Sequence, residues 1–309
     1  MGSIRTKAGG LLLALVLPLV ACAPGGSAQP AGSGLAVTPG AGAVRVVTTT
    51  TVFADIVRAV GGSRADVRSI IPAGTGPEDY EPKPDDAKSL ADAQLIVSNG
   101  VGLDDFLDRL LSSGTGGTTP RLILGEGIPP ITIDGEPNPH FWLDPTIVKS
   151  AYLPKIVTAL SAIAPADAAS FQANAAAYGA QLDALDAELK AKVETIPAAN
   201  RKLVTFHDAF PYFARHFGFD LVGVVVANVG QEPNAAELAA LVEQVRGAGV
   251  KAVFSEAQFN AKLAHTLAEE AGVKRVVSTL YNDALGPAPA DSYPGMMRWN
   301  VDQIVEALR

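Results

Sequence analysis

The chain is almost without cysteine. Among its 309 residues only Cys22 carries a thiol, so no intramolecular disulfide staples the fold and burial must hold it together. Histidine is scarce as well: His140, His207, His216 and His265 are the full set. Bases are outnumbered by acids, 24 to 32, which leaves a net charge of −8. Without Arg5 and Lys7 it becomes −10. A surface of that sign offers no footprint for nucleic acid and suits a cationic or neutral ligand. No apolar run reaches the roughly 20 residues that a membrane-spanning helix needs. What remains is 48% hydrophobic and 18% charged, the composition of a globular body with a good core.

The N-terminus reads as a targeting segment. Arg5 and Lys7 precede the apolar run Gly10–Val20, and Ala21 stands before Cys22. A positive start, an apolar stretch of about a dozen residues and a small residue before the cut describe an export signal. A cysteine at the cut is placed to carry lipid. Residues 1–21 are therefore expected to be a lipoprotein signal peptide, and residues 22–43, rich in Gly, Pro, Ser and Ala, a flexible tether.

From Val44 the pattern alternates. β-branched runs read as strands at 44–52, 67–71, 94–98 and 121–124. Between them, helices are expected at 53–60, 85–93 and 103–111. Residues 146–195 carry no strand signal. Phe171, Tyr178, Leu182, Leu185 and Leu189 recur near helical spacing, which predicts one helix of roughly 30 residues, about 45 Å long, starting at Pro165. Strands then return at 202–206, 221–226, 251–254 and 275–279, with helices at 209–217, 235–248, 262–271 and 294–308. The expected fold is α/β: two lobes, each a parallel sheet flanked by helices, joined by one long rigid helix. The expected divisions are 44–160, 161–196 and 197–309.

Four places follow strands or lie in loops, where open α/β sheets put their ligands. The first is Gly76-Pro77-Glu78-Asp79-Tyr80-Glu81, with three acids in a loop stiffened by Pro and Gly. The second is Asn138-Pro139-His140-Phe141-Trp142-Leu143-Asp144-Pro145. Its Asp144-Pro145 pair reads as a helix start, so Asp144 is assigned to capping. The third is His207-Asp208 after a strand, and the fourth is Asp283 after another. Each alone is an ordinary turn or surface residue. Together, two imidazoles and two carboxylates form a set suited to a divalent transition metal. His216 and His265 are assigned no part in it.

The phrases Asp79-Tyr-Glu-Pro-Lys-Pro84, Pro139-His-Phe-Trp-Leu-Asp-Pro145, His207-Asp-Ala-Phe-Pro-Tyr-Phe213, Gln231-Glu-Pro, Phe254-Ser-Glu and Leu280-Tyr-Asn-Asp-Ala-Leu285 resemble the metal-binding lipoproteins of bacterial manganese, zinc or iron ABC importers, the cluster A-I solute-binding proteins. The likeness runs from about Val44 to the end. It implies a metal held between two lobes, with ligands at Glu78, His140, His207 and Asp283. Asp79, Asp208 and Glu256 are then expected beside the ligands as supports. It implies a monomeric receptor, lipid-anchored on the outer face of the cytoplasmic membrane, that passes its cargo to an ABC permease. In the family's first loop the usual text is Asp-Pro-His, whereas here it is Gly76-Pro77-Glu78. Two carboxylates and no His-rich loop favour Mn²⁺, with Zn²⁺ close behind and Fe²⁺ next. Metal held by imidazole is expected to weaken as pH falls past about 6. A metal-dependent hydrolase on the same ligands is the competing class, with Asp208 or Glu256 as its base, but four protein ligands leave little room for a reactive water. Nothing in the sequence supports an adhesin as the primary role.

The anchor has a direct test. Cys22→Ala is expected to release the chain from the membrane or to block its processing, read by fractionation and by the mass of the mature protein. More than one acyl chain is expected on the parent, because a single chain holds weakly. Unchanged retention together with unchanged mass in the variant would contradict lipidation.

Overall fold

β1 (Val44–Thr48) pairs in parallel with β2 (Ala65–Ser69) on one side and β3 (Leu95–Ser98) on the other, and β4 (Arg121–Ile123) extends the sheet beyond β3. The order β2-β1-β3-β4 requires helical crossovers, which α1 (Thr51–Gly61), α2 (Pro84–Asp92) and α3 (Asp105–Ser112) supply. This computed structural model describes residues 1–2, 38–78, 80–112, 118–133, 135–226 and 233–309. Cys22, Asp79 and Gln231 lie outside them, and so does the tether up to residue 37.

The β-branched run expected as a strand to Val52 stops early. Thr48 Oγ1 donates to the carbonyl of Thr50 (3.0 Å), and Thr50 in extended conformation stands at the N-cap of α1. The chain therefore leaves the sheet at its C-terminal edge and turns straight into the helix. After β4 a short antiparallel hairpin, β5 (Thr132–Ile133) and β6 (Glu136–Pro137), leads to a 3₁₀ turn at Phe141–Leu143. Asp144 caps α4 (Pro145–Ile147) as expected: its Oδ1 accepts from the Thr146 N–H at 2.9 Å. A π-turn at Val148–Tyr152 then runs into α5 (Leu153–Ile163).

The long helix is α6 (Ala168–Glu194), 27 residues preceded by a 3₁₀ turn at Pro165–Asp167. At 1.5 Å per residue it spans about 40 Å. Phe171, Tyr178, Leu182, Leu185, Leu189 and Val193 form its buried stripe. That stripe packs against α1, α5 and α10 (Tyr293–Leu308), helices taken from both ends of the chain.

The second sheet follows. β7 (Lys202–His207) pairs in parallel with β8 (Asp220–Val226), and β9 (Ala252–Glu256) pairs in parallel with β10 (Arg275–Leu280). The two pairs are separate ladders, but β7 lies beside β9, so together, as the second sheet, they repeat the neighbour order of the first. α7 (Pro211–Phe217), α8 (Ala235–Ala248) and α9 (Lys262–Ala271) make the crossovers. α8 and α9 end at Gly249 and Gly272, whose φ of +66° and +75° suits a residue without a side chain. The fold is thus α/β, with two parallel sheets flanked by helices and a long helix between them in sequence.

The largest of three apolar clusters among the described residues runs through this body. It joins Val46 and Val97 of the first sheet, Leu182 and Leu185 of α6, Phe254 of the second sheet and Met297 and Ile304 of α10. A continuous core predicts that the halves unfold together. Leu185 is fully buried there, and Leu185→Ala is expected to cost about 2–5 kcal/mol. In urea this should lower the midpoint of a single transition for the metal-free protein with little change in slope. Two resolved transitions, of which the mutation moves one, would contradict a shared core.

Candidate metal centre

The carboxyl ends of the strands of both sheets meet at one place. His207 ends β7, Glu256 ends β9, and Asp283 follows β10 by three residues. Glu78 lies in the loop after β2, and His140 in the segment that leaves the β5–β6 hairpin. Each of Glu78, His140, His207 and Asp283 offers one ligand atom, and those four atoms lie within 4.8 Å of one another. His140, His207 and Asp283 are buried, whereas Glu78 sits exposed at the lip.

His140 is oriented by an amide. Asn138 Nδ2 donates to the carbonyl of Asp208 (2.6 Å), which turns Asn138 Oδ1 toward His140. That oxygen accepts from the His140 backbone N–H (3.1 Å) and faces its Nδ1 at 3.0 Å. Nδ1 therefore carries the proton, and Nε2 points inward with its lone pair free. Its neighbour is Asp283 Oδ1 at 3.3 Å. Both atoms are buried and neither has a hydrogen-bond partner among the described residues. Two acceptors face each other with no donor between them.

His207 is held in a similar way from the other sheet. Its Nδ1 lies 3.1 Å from Glu256 Oε1, which fixes the proton on that side. Its Nε2 accepts from Asn282 Nδ2 at 3.2 Å and lies 3.6 Å from Asp283 Oδ2. The two imidazole rings stand edge to face with centroids 5.3 Å apart. Trp142 backs His140 and donates its indole N–H to the Asn282 carbonyl (2.8 Å). The Tyr212 hydroxyl accepts from the Ile131 N–H (2.8 Å) and donates to the Asn138 carbonyl (2.9 Å). Support of this kind, from groups behind the ligands, is what fixes tautomer and ring orientation at metal sites.

The electrostatics favour positive charge. Burial lowers the His207 pKa, but the carboxylates of Glu256, Asp283 and Glu78 outweigh it and raise the value to about 9. Burial raises the Asp283 pKa, while the neighbouring imidazoles of His140 and His207 and the Gln258 amide outweigh that and hold it below the usual carboxylate range. A pocket that stabilises a proton on His207 also stabilises a metal cation in the proton's place.

The sequence places these four residues in separate loops, and the fold brings them together. Glu256 lies beside His207. Asp208 contributes through its backbone carbonyl. Asp79 lies outside the described residues. His216 is not at the centre: it sits between Asp144 (3.3 Å) and Asp186 (2.5 Å). Three amides were missed, namely Asn138, Asn282 and Gln258. Asn138 and Asn282 flank ligands at two residues and one residue before them, which was the only signal available.

Residues 46–307 match the family described as zinc-uptake complex component A, periplasmic. The chain belongs to this family. Among its relatives is the manganese-binding lipoprotein MntA of Halalkalibacterium halodurans, 31% identical over 274 residues, or 86% of this chain and 88% of that one. The iron ABC transporter substrate-binding lipoprotein MtsA of Streptococcus pyogenes is 28% identical over 279 residues, or 86% and 89% of the two chains. The solved structure of the periplasmic zinc-binding protein TroA of Treponema pallidum superposes with a TM-score of 0.79 at 29% identity, over 86% of this chain and 99% of that one. The chain is accordingly a substrate-binding transport protein and not an enzyme.

The raised His207 pKa moves the expected pH threshold upward from 6. Below about 9 the metal must displace a proton, so affinity should fall by up to about tenfold per pH unit as pH drops, and should level off above that value. Calorimetry in buffers of different ionisation enthalpy should find about one proton released per metal near neutral pH. A dissociation constant that stays flat from about pH 7 to 8.5 would contradict the assignment.

Proposed function

We propose that the chain captures a divalent first-row transition metal at Glu78, His140, His207 and Asp283 and delivers it to an ABC-type permease. The observation that carries the ligand set is the buried pair His140 Nε2 and Asp283 Oδ1, two acceptors 3.3 Å apart with no donor between them. Such a pair is repulsive until a cation lies between its members. All four ligand atoms lie within 4.8 Å of one another, a spread that has to tighten to at most about 4.4 Å for all of them to bind one ion at about 2.0–2.2 Å.

The cargo is Mn²⁺ in preference to Zn²⁺, with Fe²⁺ also suited. Two oxygens and two nitrogens are harder than an imidazole-rich set, although Zn²⁺ binds tightly to either by the general affinity order. The relatives are named for manganese, iron and zinc, so their names do not separate the three. The exported body divides at 44–160, 161–196 and 197–309. It works as a monomer held on the outer face of the cytoplasmic membrane by lipid at Cys22, in keeping with the lipoprotein names of its relatives.

Glu78 is the residue that tests the metal choice. Glu78→His is expected to shift the preference from Mn²⁺ toward Zn²⁺, because it replaces a hard oxygen by an imidazole. Glu78→Ala should weaken both metals. The measurement is the ratio of the Mn²⁺ and Zn²⁺ dissociation constants for the three proteins. A ratio unchanged across them, with both affinities within a factor of about two, would remove Glu78 from the ligands.

A further inference from the structure

Gln258 lies two residues past the end of β9 and belongs to none of the ligands. Its Nε2 donates to Asp283 Oδ2 at 3.0 Å and to Asn282 Oδ1 at 3.1 Å. Only the NH₂ end of the amide satisfies two acceptors at once, so its orientation is set. Asn282 is in turn fixed by donating Nδ2 to His207 and accepting the Trp142 indole on its carbonyl. Gln258 also reaches the first loop. A Cβ placed on Gly76 would lie 2.7 Å from Glu78 Oε2 and 3.2 Å from Gln258 Nε2. Any side chain at position 76 would therefore press on both. The end of β9 and the turn after it thus hold two ligands of the second sheet: Glu256 holds His207, and Gln258 holds Asp283.

The two oxygens of Asp283 are in different situations. Oδ2 is occupied by the Gln258 amide, while Oδ1 is buried, without a partner, and faces His140. We propose that Gln258 is a positioning residue that restricts Asp283 to one-oxygen coordination and so limits the number of ligands around the metal. This rests on Asp283 being a ligand. With one oxygen from Asp283, four residues giving one atom each make a four-coordinate site, the number Zn²⁺ prefers. Mn²⁺ prefers more oxygen donors and a higher number. Gln258 therefore opposes the manganese preference given by the two carboxylates. Without it, Oδ2 is free to turn to the metal, and Asp283 can chelate through both oxygens.

The test uses the full chain, stripped of metal and loaded with Co²⁺, Mn²⁺ or Zn²⁺ alone. Gln258→Met keeps the length of the side chain and removes the donor; Gln258→Ala removes both. The parent with Co²⁺ should give the intense visible bands of four-coordinate cobalt. Both variants should lose intensity as the coordination number rises. In both, the Mn²⁺ dissociation constant divided by that of Zn²⁺ should fall by roughly tenfold, at the low end of effects from groups behind metal ligands. Gln258 is half-buried in a turn, so a variant that fails to fold leaves the other to decide. An unchanged cobalt spectrum and an unchanged ratio in a folded variant would overturn the proposal. Equal weakening of both metals with the parent spectrum would also overturn it, since that is the mark of a merely structural loss. Asp283→Asn separates the underlying reading: if it binds metal as the parent does, Asp283 is not a ligand, and the fault lies there and not with Gln258.

Discussion

Asp283 is fully buried with its carboxylate flanked by two imidazoles, and one of its oxygens has no hydrogen bond to accept. Burying an ion without full compensation is expensive. Among the described residues the surroundings set no arginine or lysine against it in an ion pair. Instead they aim more acceptors at the same point. Asn138 fixes the proton of His140 on the far side of the ring, and Glu256 does the same for His207. Every one of these second contacts turns a lone pair inward. The result is a pocket whose electrostatics favour positive charge, and the pKa of His207, raised to about 9, reflects it.

The fold's task is to hold acceptors together that repel one another, and the ties across the chain are numerous. The loop that carries Asp283 is bound to the first sheet's helix, through the Leu285 N–H to Thr51 Oγ1 (2.8 Å) and the Tyr293 N–H to Asp55 Oδ2 (2.8 Å). The Gly74 N–H donates to the Leu285 carbonyl at 3.2 Å, linking the loop of Glu78 to the loop of Asp283. The Tyr293 hydroxyl donates to the Trp142 carbonyl (2.7 Å). With α6 and α10 packed into a single core, these contacts oppose a wide separation of the two sheets. Glu78 is the exposed member of the four, at the lip.

Much of this was legible in the sequence because it is written in short-range patterns. Strand and helix alternation comes from residue type and period, and the stripe from Phe171 to Leu189 is a helical face that reads directly. The ends of elements were less clear. Thr49 and Thr50 look like strand residues, and only the hydrogen bond from Thr48 to the Thr50 carbonyl explains why the strand stops. The hairpin at residues 132–137 and the π-turn at 148–152 are too short to leave a periodic signal. The residues brought together at the centre stood out in the sequence as chemistry-bearing types near strand ends, and the family likeness is what named all four as a set. The amides behind them were not. Asn and Gln are common turn residues, and nothing local distinguishes Gln258, whose partner lies 25 residues away. The orientation of His140 comes from Asn138, with Trp142 as backing, and neither contact has a local signature.

As a metal centre, the site requires one cation to bridge the facing acceptors. Anomalous-difference maps from crystals grown with Mn²⁺, collected on either side of the manganese edge, test it most directly. The account predicts a single strong peak about 2.0–2.2 Å from His140 Nε2, His207 Nε2 and Asp283 Oδ1. A peak away from these atoms, or ordered protein crystals with His140 Nε2 and Asp283 Oδ1 still facing each other and no peak between them at saturating metal, would contradict it.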